Sequence, residues 1–176
     1  RRLVAQGLKR IRAQVLPAGI ASLFIASGRQ AQTATTFDFG FALGPRINAA
    51  GRLADMTLGI ECLLTDDPAR ASELAHTLDT INRERREIEG GMREQAMHLT
   101  ESMFVEEDTP PAAISVFDEG FHEGVVGIVA SRIKDKLHRP TFVFAASKAP
   151  GKEAELKGSG RSIPGFHLRD ALDLVA

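Results

Sequence analysis

Apolar residues recur along residues 2–16 at Leu3, Leu8, Ile11 and Val15 and stop at Pro17, which predicts an amphipathic helix. A second short apolar element, IASLFIASG, ends at Gly28. Residues 30–57 interleave Thr, Gly, Asn and one Pro with short apolar runs, and this mixture predicts a structured loop region. From Pro68, with Asp67 as N-cap and proline at the first helical position, one long helix is expected to run to about Met103. Its stripe is Leu74, Leu78, Ile81, Ile88, Met92, Leu99 and Met103, at three- and four-residue steps with gaps at Arg85 and Gln95. At ~1.5 Å per residue the helix is roughly 54 Å long, enough to bridge two bodies. Gly90 and Gly91 weaken it and mark a hinge position.

The acidic segment EEDTPP is expected to end that helix, and the periodicity then changes. AAISVF reads as a strand, GVVGIVASRIKDKLH as a helix with Val126, Val129, Ile133 and Leu137 on one face, and PTFVFAAS as a second strand. This is a βαβ unit. A third strand in ELKGSGRSI and a last helix from about Leu168 complete the pattern. The expected fold class is therefore mixed α/β (α+β): a helical segment, a long connector helix, and a small βαβ-containing domain with a mixed sheet.

Composition narrows the class. The 176 residues are 43% hydrophobic and 26% charged, which suits one globular domain or two small ones and excludes a disordered chain. A lone Cys62 removes any disulfide framework, so the cytoplasm is the default compartment. No apolar run approaches the ~20 residues of a membrane span, and RRLVAQGLKRIRAQVL is too charged for a signal peptide. The chain opens on Arg1 and closes on the apolar ALDLVA, which suggests a piece of something longer.

Charge is unevenly distributed. Net charge is −1 overall, yet residues 1–52 carry +7, residues 53–108 carry −9 and residues 109–176 carry +1. A basic block beside an acidic one fits an anion-binding surface backed by a solvated helix. A plain solvated helix face explains the basic block equally well.

Three motifs carry candidate chemistry. In FALGPRINAAGR, residues 41–52, Gly44 and Pro45 are expected to form a turn presenting Arg46, followed by Asn48 and Arg52 among small residues, a seat for an anion. The competing arrangement, which composition favours, pairs Arg46 and Arg52 with acids of the long helix and uses Asn48 to cap a helix start at Ala49. In FHEGVVGIVASR, residues 121–132, His122 and Glu123 precede a helix N-terminus, and Gly124 and Gly127 permit close approach. A surface turn with helix-packing glycines explains the same residues, and the spacing of His122 and Glu123 is not that of a metal site. In GSGRS, residues 158–162, Gly158 and Gly160 are expected to free the backbone into a concave row of N–H groups, with Ser159 and Ser162 hydroxyls and the Arg161 fork beside it. It lacks the Lys-Ser/Thr of a P-loop, and by itself it reads as an ordinary glycine-rich turn. Together with the other two it would form a third wall of one anion site.

In this order, GPRINAAGR, NRERREIE, HEGVVGIVASRIKDKLHRP and LKGSGRSIPGFHLRDAL resemble the RecJ family of DHH phosphoesterases over almost the whole chain. The resemblance implies a metal-binding DHH domain joined by a long helix to a DHH-associated domain, with an active cleft between them. Residues 1–65 would be the end of the DHH domain, 66–108 the connector and 109–176 most of the associated domain. It implies a 5′ to 3′ exonuclease that degrades single-stranded DNA with Mn²⁺ or Mg²⁺ in repair and recombination. Single-strand-binding protein and helicase partners are implied in the same way, with no membrane involved. The family's nucleic-acid contacts would fall on Arg46, Asn48, Arg52, His122, Gly124, Ser159, Gly160, Arg161 and Ser162. The metal ligands of the family include a DHH triplet, which this sequence lacks, and His76, His98, His138 and His167 are scattered without carboxylate neighbours at ligand spacing. The chain alone is therefore expected to be inactive and to supply substrate binding to an intact nuclease.

Two other readings remain open from the residues. One is a relative acting on short oligonucleotides or nucleotide phosphates, although such enzymes tend to carry a GGGH-type motif where this chain has GSGRS. The other is a non-catalytic nucleic-acid-binding module, for which GPRINAAGR and the long connector would be superfluous.

Overall fold

The computed structural model describes residues 2–106 and 111–175 and divides into two compact units, Arg1–Arg85 and Arg86–Ala176. The first is helical. Helix α1 spans Arg2–Arg12 and α2 spans Ala18–Ala26. The expected helix over residues 2–16 stops early because Gln14 takes a left-handed φ of 62° and Pro17 then starts α2 as its N-cap. Proline disfavours helical backbone in the residue before it, so the turn must be completed upstream.

The expected loop over residues 30–57 is instead largely helical. A 3₁₀ turn at Ala31–Thr33 leads into α3, Thr36–Asp38, then a π-helical turn, Phe39–Leu43, and α4, Gly44–Leu53. Thr35 and Asp38 form a reciprocal capping box, with the Thr35 N–H donating to the Asp38 carboxylate at 2.8 Å. That carboxyl is held below its usual range by the Thr35 hydroxyl first and the Thr35 N–H second, with Arg29 adding to them. Gly44 and Pro45 are not a turn. They open α4, where a missing proline N–H costs nothing, and the preceding wide turn bonds the Gly44 N–H to the Phe39 carbonyl. Helix α5 spans Thr57–Leu64. Leu23, Phe24, Leu43, Ala50 and Cys62 form the core of this unit with Leu74, Ala75 and Leu78.

Helix α6 runs unbroken from Pro68 to Glu106. Asp67 caps it as expected, its Oδ1 accepting from the Ala69 N–H at 2.9 Å. Leu74, Leu78, Ile81 and Met92 of the predicted stripe are buried. The expectation for the end of this helix falls partly on residues 107–110, outside the described residues.

The second unit holds a three-stranded sheet in the order β1 (Ile114–Phe117), β2 (Thr141–Ala146), β3 (Leu156–Arg161). Strands β1 and β2 are parallel and joined by α7, Val126–Leu137, while β2 and β3 are antiparallel, which is the mixed sheet expected. Thr141, Val143 and Ala145 on one face of β2 are buried, as are Val126, Val129 and Ile133 of α7, which packs on β2 and β3. Helix α8, Leu168–Asp173, follows.

Candidate nucleic-acid interface

The GSGRS segment is not a loop of outward N–H groups. Gly158, Ser159, Gly160 and Arg161 are residues of β3 and pair in regular register with Phe144, Val143, Phe142 and Thr141. Alternation along the strand then separates the segment into two faces. On one face the glycines lie under the rings of β2, and a Cβ on Gly158 would sit 2.3 Å from the Phe144 ring, one on Gly160 2.7 Å from that of Phe142. Phe142 and Phe144 stack with an interplanar angle of 12° and a centroid separation of 6.3 Å. The glycines therefore serve ring packing rather than a phosphate nest. Gly158→Ala is expected to cost about 1–3 kcal/mol, the range of small-to-large changes in packed sites, and to be partly repaired by Phe144→Leu. Thermal melts of the single and double variants check this, and no recovery in the double variant would show that the ring is not the obstacle.

On the other face, Ser159 and Arg161 turn toward α7. Arg161 Nε donates to Ser131 Oγ at 3.0 Å, and Nη1 donates to Ser159 Oγ at 2.7 Å and to the Gly160 carbonyl at 2.8 Å. Nη2 takes part in none of these bonds and lies 2.7 Å from where a Cβ on Gly127 would sit. Gly127 is the second residue of α7, so a guanidinium is held against the positive end of a helix. Two positive features pushed together disfavour each other and jointly attract an anion. Ser162 is otherwise occupied, its hydroxyl donating to the Phe166 carbonyl in the turn after β3.

His122 and Gly124 form a tight turn ahead of α7. The Gly124 N–H donates to His122 Nδ1 at 3.1 Å, and the His122 N–H approaches the Met92 sulfur of α6 at 3.2 Å. Burial first, and the Lys148 charge second, push the imidazole below its ordinary pKa against the opposing pull of Glu123. A neutral ring accepting at Nδ1 carries its proton on Nε2, so His122 is a neutral donor at pH 7. Glu123 pairs with Lys157 at 3.5 Å.

The GPRINAAGR residues fall in the first unit and split by helix phase. Arg46 is buried and bonded to Asp79 of α6, with Nε and Nη2 at 2.9 and 2.8 Å from Oδ1, and Nη1 donates to the Ala42 carbonyl. Asn48 lies inside α4 rather than capping it, and it shares an exposed helix face with Arg52 at the i, i+4 spacing. Three contacts of the candidate site residues escaped sequence reasoning: Asp79, Ser131 and Met92. The one local cue was for Ser131, which follows Gly127 by one helical turn.

Among the described residues, no three His, Cys, Asp or Glu side chains gather as a metal-binding group, and no helix is long and apolar enough to cross a membrane.

The second unit is a parallel βαβ unit continued by an antiparallel strand, with the Arg161 guanidinium bonded to the crossover helix. Residues 109–176 match the DHHA1 domain. Over 171 residues, 97% of the chain, it is 51% identical to the single-stranded-DNA-specific exonuclease RecJ of Dickeya dadantii. The crystal structure of an exonuclease RecJ bound to manganese superposes with a TM-score of 0.76 at 34% identity, covering 98% of this chain and 40% of that one. That of RecJ from Thermus thermophilus in complex with Mg²⁺ gives 0.76 at 34% identity, covering 97% and 24%. Over nearly its whole length the chain is thus similar to part of RecJ. It spans about 29% of the length of the Dickeya relative.

Proposed function

We propose that this chain is the strand-gripping part of a single-stranded-DNA-specific exonuclease that acts in DNA repair and recombination in the cytoplasm. The observation that carries the reading is the guanidinium of Arg161. It is anchored by two serine hydroxyls and a carbonyl while Nη2 lies at the first turn of α7, where a phosphate would meet both the fork and the helix end. Ser159 on the same strand and the Nε2–H of the His122 ring add uncharged donors, and the exposed Asn48 and Arg52 of α4 offer a second phosphate contact in the first unit. Arg46 is given no DNA contact, because its donors are directed at Asp79 and Ala42.

The two RecJ crystal structures named above are bound to manganese and to Mg²⁺. Such ions, held by residues other than those described, would supply activation of water and charge neutralisation at the leaving oxygen. Among the described residues no three His, Cys, Asp or Glu side chains gather as a ligand set for such ions, and the role proposed for this chain is binding and orientation. Single-strand-binding protein and helicase partners would deliver the strand.

The test is Arg161→Ala in the full-length protein. Single-strand affinity is expected to fall, and the slope of log K against log salt to flatten by about 0.7, the loss of one phosphate contact. An unchanged slope would make Arg161 structural. Equal turnover of a dinucleotide and a long oligonucleotide would overturn the assignment of a long strand as substrate.

A further inference from the structure

We infer that Ser131 is a positioning residue for the nucleic-acid contact, acting through Arg161 rather than touching the strand. The inference rests on the reading of Arg161 as a phosphate contact and adds the residue that aims it. Ser131 lies on α7, thirty positions from Arg161, and its Oγ has two engagements. It donates its one proton to the Gly127 carbonyl at 3.0 Å and accepts from Arg161 Nε at 3.0 Å. Since a hydroxyl has a single proton, the bond to Gly127 turns a lone pair toward the arginine and fixes the polarity of the contact.

The consequences follow from the shape of the guanidinium. It is planar, and Nη1 is already tied to Ser159 and to the Gly160 carbonyl. Bonds at Nη1 alone leave the plane free to pivot about that atom. A third bond at Nε, on the opposite side of the fork from Nη1, closes off the pivot and sets the direction of Nη2. Gly127 completes the arrangement from below, because a Cβ there would lie 2.7 Å from Nη2 and 3.1 Å from Ser159 Oγ. An arginine side chain has many rotamers to lose on binding, and one held in place before the strand arrives loses fewer. Ser131, Ser159 and Gly127 thus make Arg161 a preformed fork.

A serine that bonds the carbonyl four residues back is common in helices and by itself implies no function. The two roles separate experimentally. In the full-length protein, with a single-stranded oligonucleotide as probe, Ser131→Ala is expected to raise Kd and KM about three- to tenfold, the factor one hydrogen bond commonly carries, with kcat within about twofold. Ser131→Thr, which keeps the hydroxyl, is expected to restore binding. In an Arg161→Ala background, Ser131→Ala is expected to add nothing, because its route to the strand is gone.

Four results would overturn the inference. If Arg161→Ala weakens binding while Ser131→Ala leaves it unchanged, the phosphate contact stands and the positioning role falls. Equal losses from Ser131→Ala with and without Arg161 would mean that Ser131 acts independently. A Thr variant as weak as the Ala variant would show that the hydroxyl is not the operative group. If Arg161→Ala itself changes nothing, the phosphate contact is wrong and the positioning role goes with it.

Discussion

Gly19→Ala is expected to destabilise the first unit by about 3 kcal/mol or more, at the upper end of what over-packing costs. The reason is the closeness of two helices. A Cβ on Gly19 of α2 would fall 1.7 Å from the Cys62 carbonyl oxygen and 2.7 Å from its carbon, both backbone atoms of α5. A side chain could rotate away, but a helix backbone moves only as a body. Relief therefore requires α2 and α5 to part, loosening the packing of Leu23 and Phe24, the latter only 1% exposed. Gly7→Ala is the control, since no atom lies within 4 Å of its Cβ position on α1. There, alanine should stabilise by up to about 1 kcal/mol through helix propensity. Urea midpoints of the two variants should move in opposite directions, and similar midpoints would mean that α2 and α5 are not in backbone contact.

Asp79→Ala has a comparable expected effect through charge. Asp79 takes Arg46 at Oδ1 and Arg83 at Oδ2, each closest contact being 2.8 Å. The side chains of Arg46 and Asp79 are only 11% and 14% exposed, so deleting the carboxylate leaves a guanidinium buried with one carbonyl partner. Breaking a buried pair from one side costs about 3–5 kcal/mol, whereas replacing both partners by apolar groups is often close to neutral. Asp79→Ala should therefore lower the urea midpoint sharply, and Arg46→Met with Asp79→Leu should recover most of the loss. A small effect of Asp79→Ala would mean that water reaches the pair. This also separates the two arginines in function: loss of activity on changing Arg46 is expected to come with loss of stability, while Arg161→Ala is expected to leave the fold standing.

Much of the second unit, and the start of α6 in the first, was legible because the signals are local. Alternation in TFVFAA, the 3.6-residue spacing of Val126, Val129 and Ile133, and the Asp-Pro start of α6 are local signals, and the structure follows them. Residues 30–57 misled for an equally local reason. Gly44 and Pro45 together ordinarily mark a turn, but here the proline occupies a helix's first turn, and the π turn before it is closed by the Gly44 N–H donating to the Phe39 carbonyl. GSGRS carried two expectations: the third strand, which β3 follows, and a concave row of N–H groups, which it does not, since a strand glycine facing a ring looks the same in sequence as a loop glycine.

The resemblance to RecJ, the long helix α6 and the strand–helix–strand order of the second unit were thus legible in the sequence itself, because periodicity, capping and motif order are properties of neighbouring residues. Which arginine pairs with a buried carboxylate and which is bonded to serines was decided only by the tertiary structure. Asp79 lies thirty-three residues from Arg46 and Ser131 thirty from Arg161, and partners at such distances meet only once helix phase and strand register are in place. A guanidinium is the same group in either setting, and what it can bind depends on which of its N–H donors the fold has already taken.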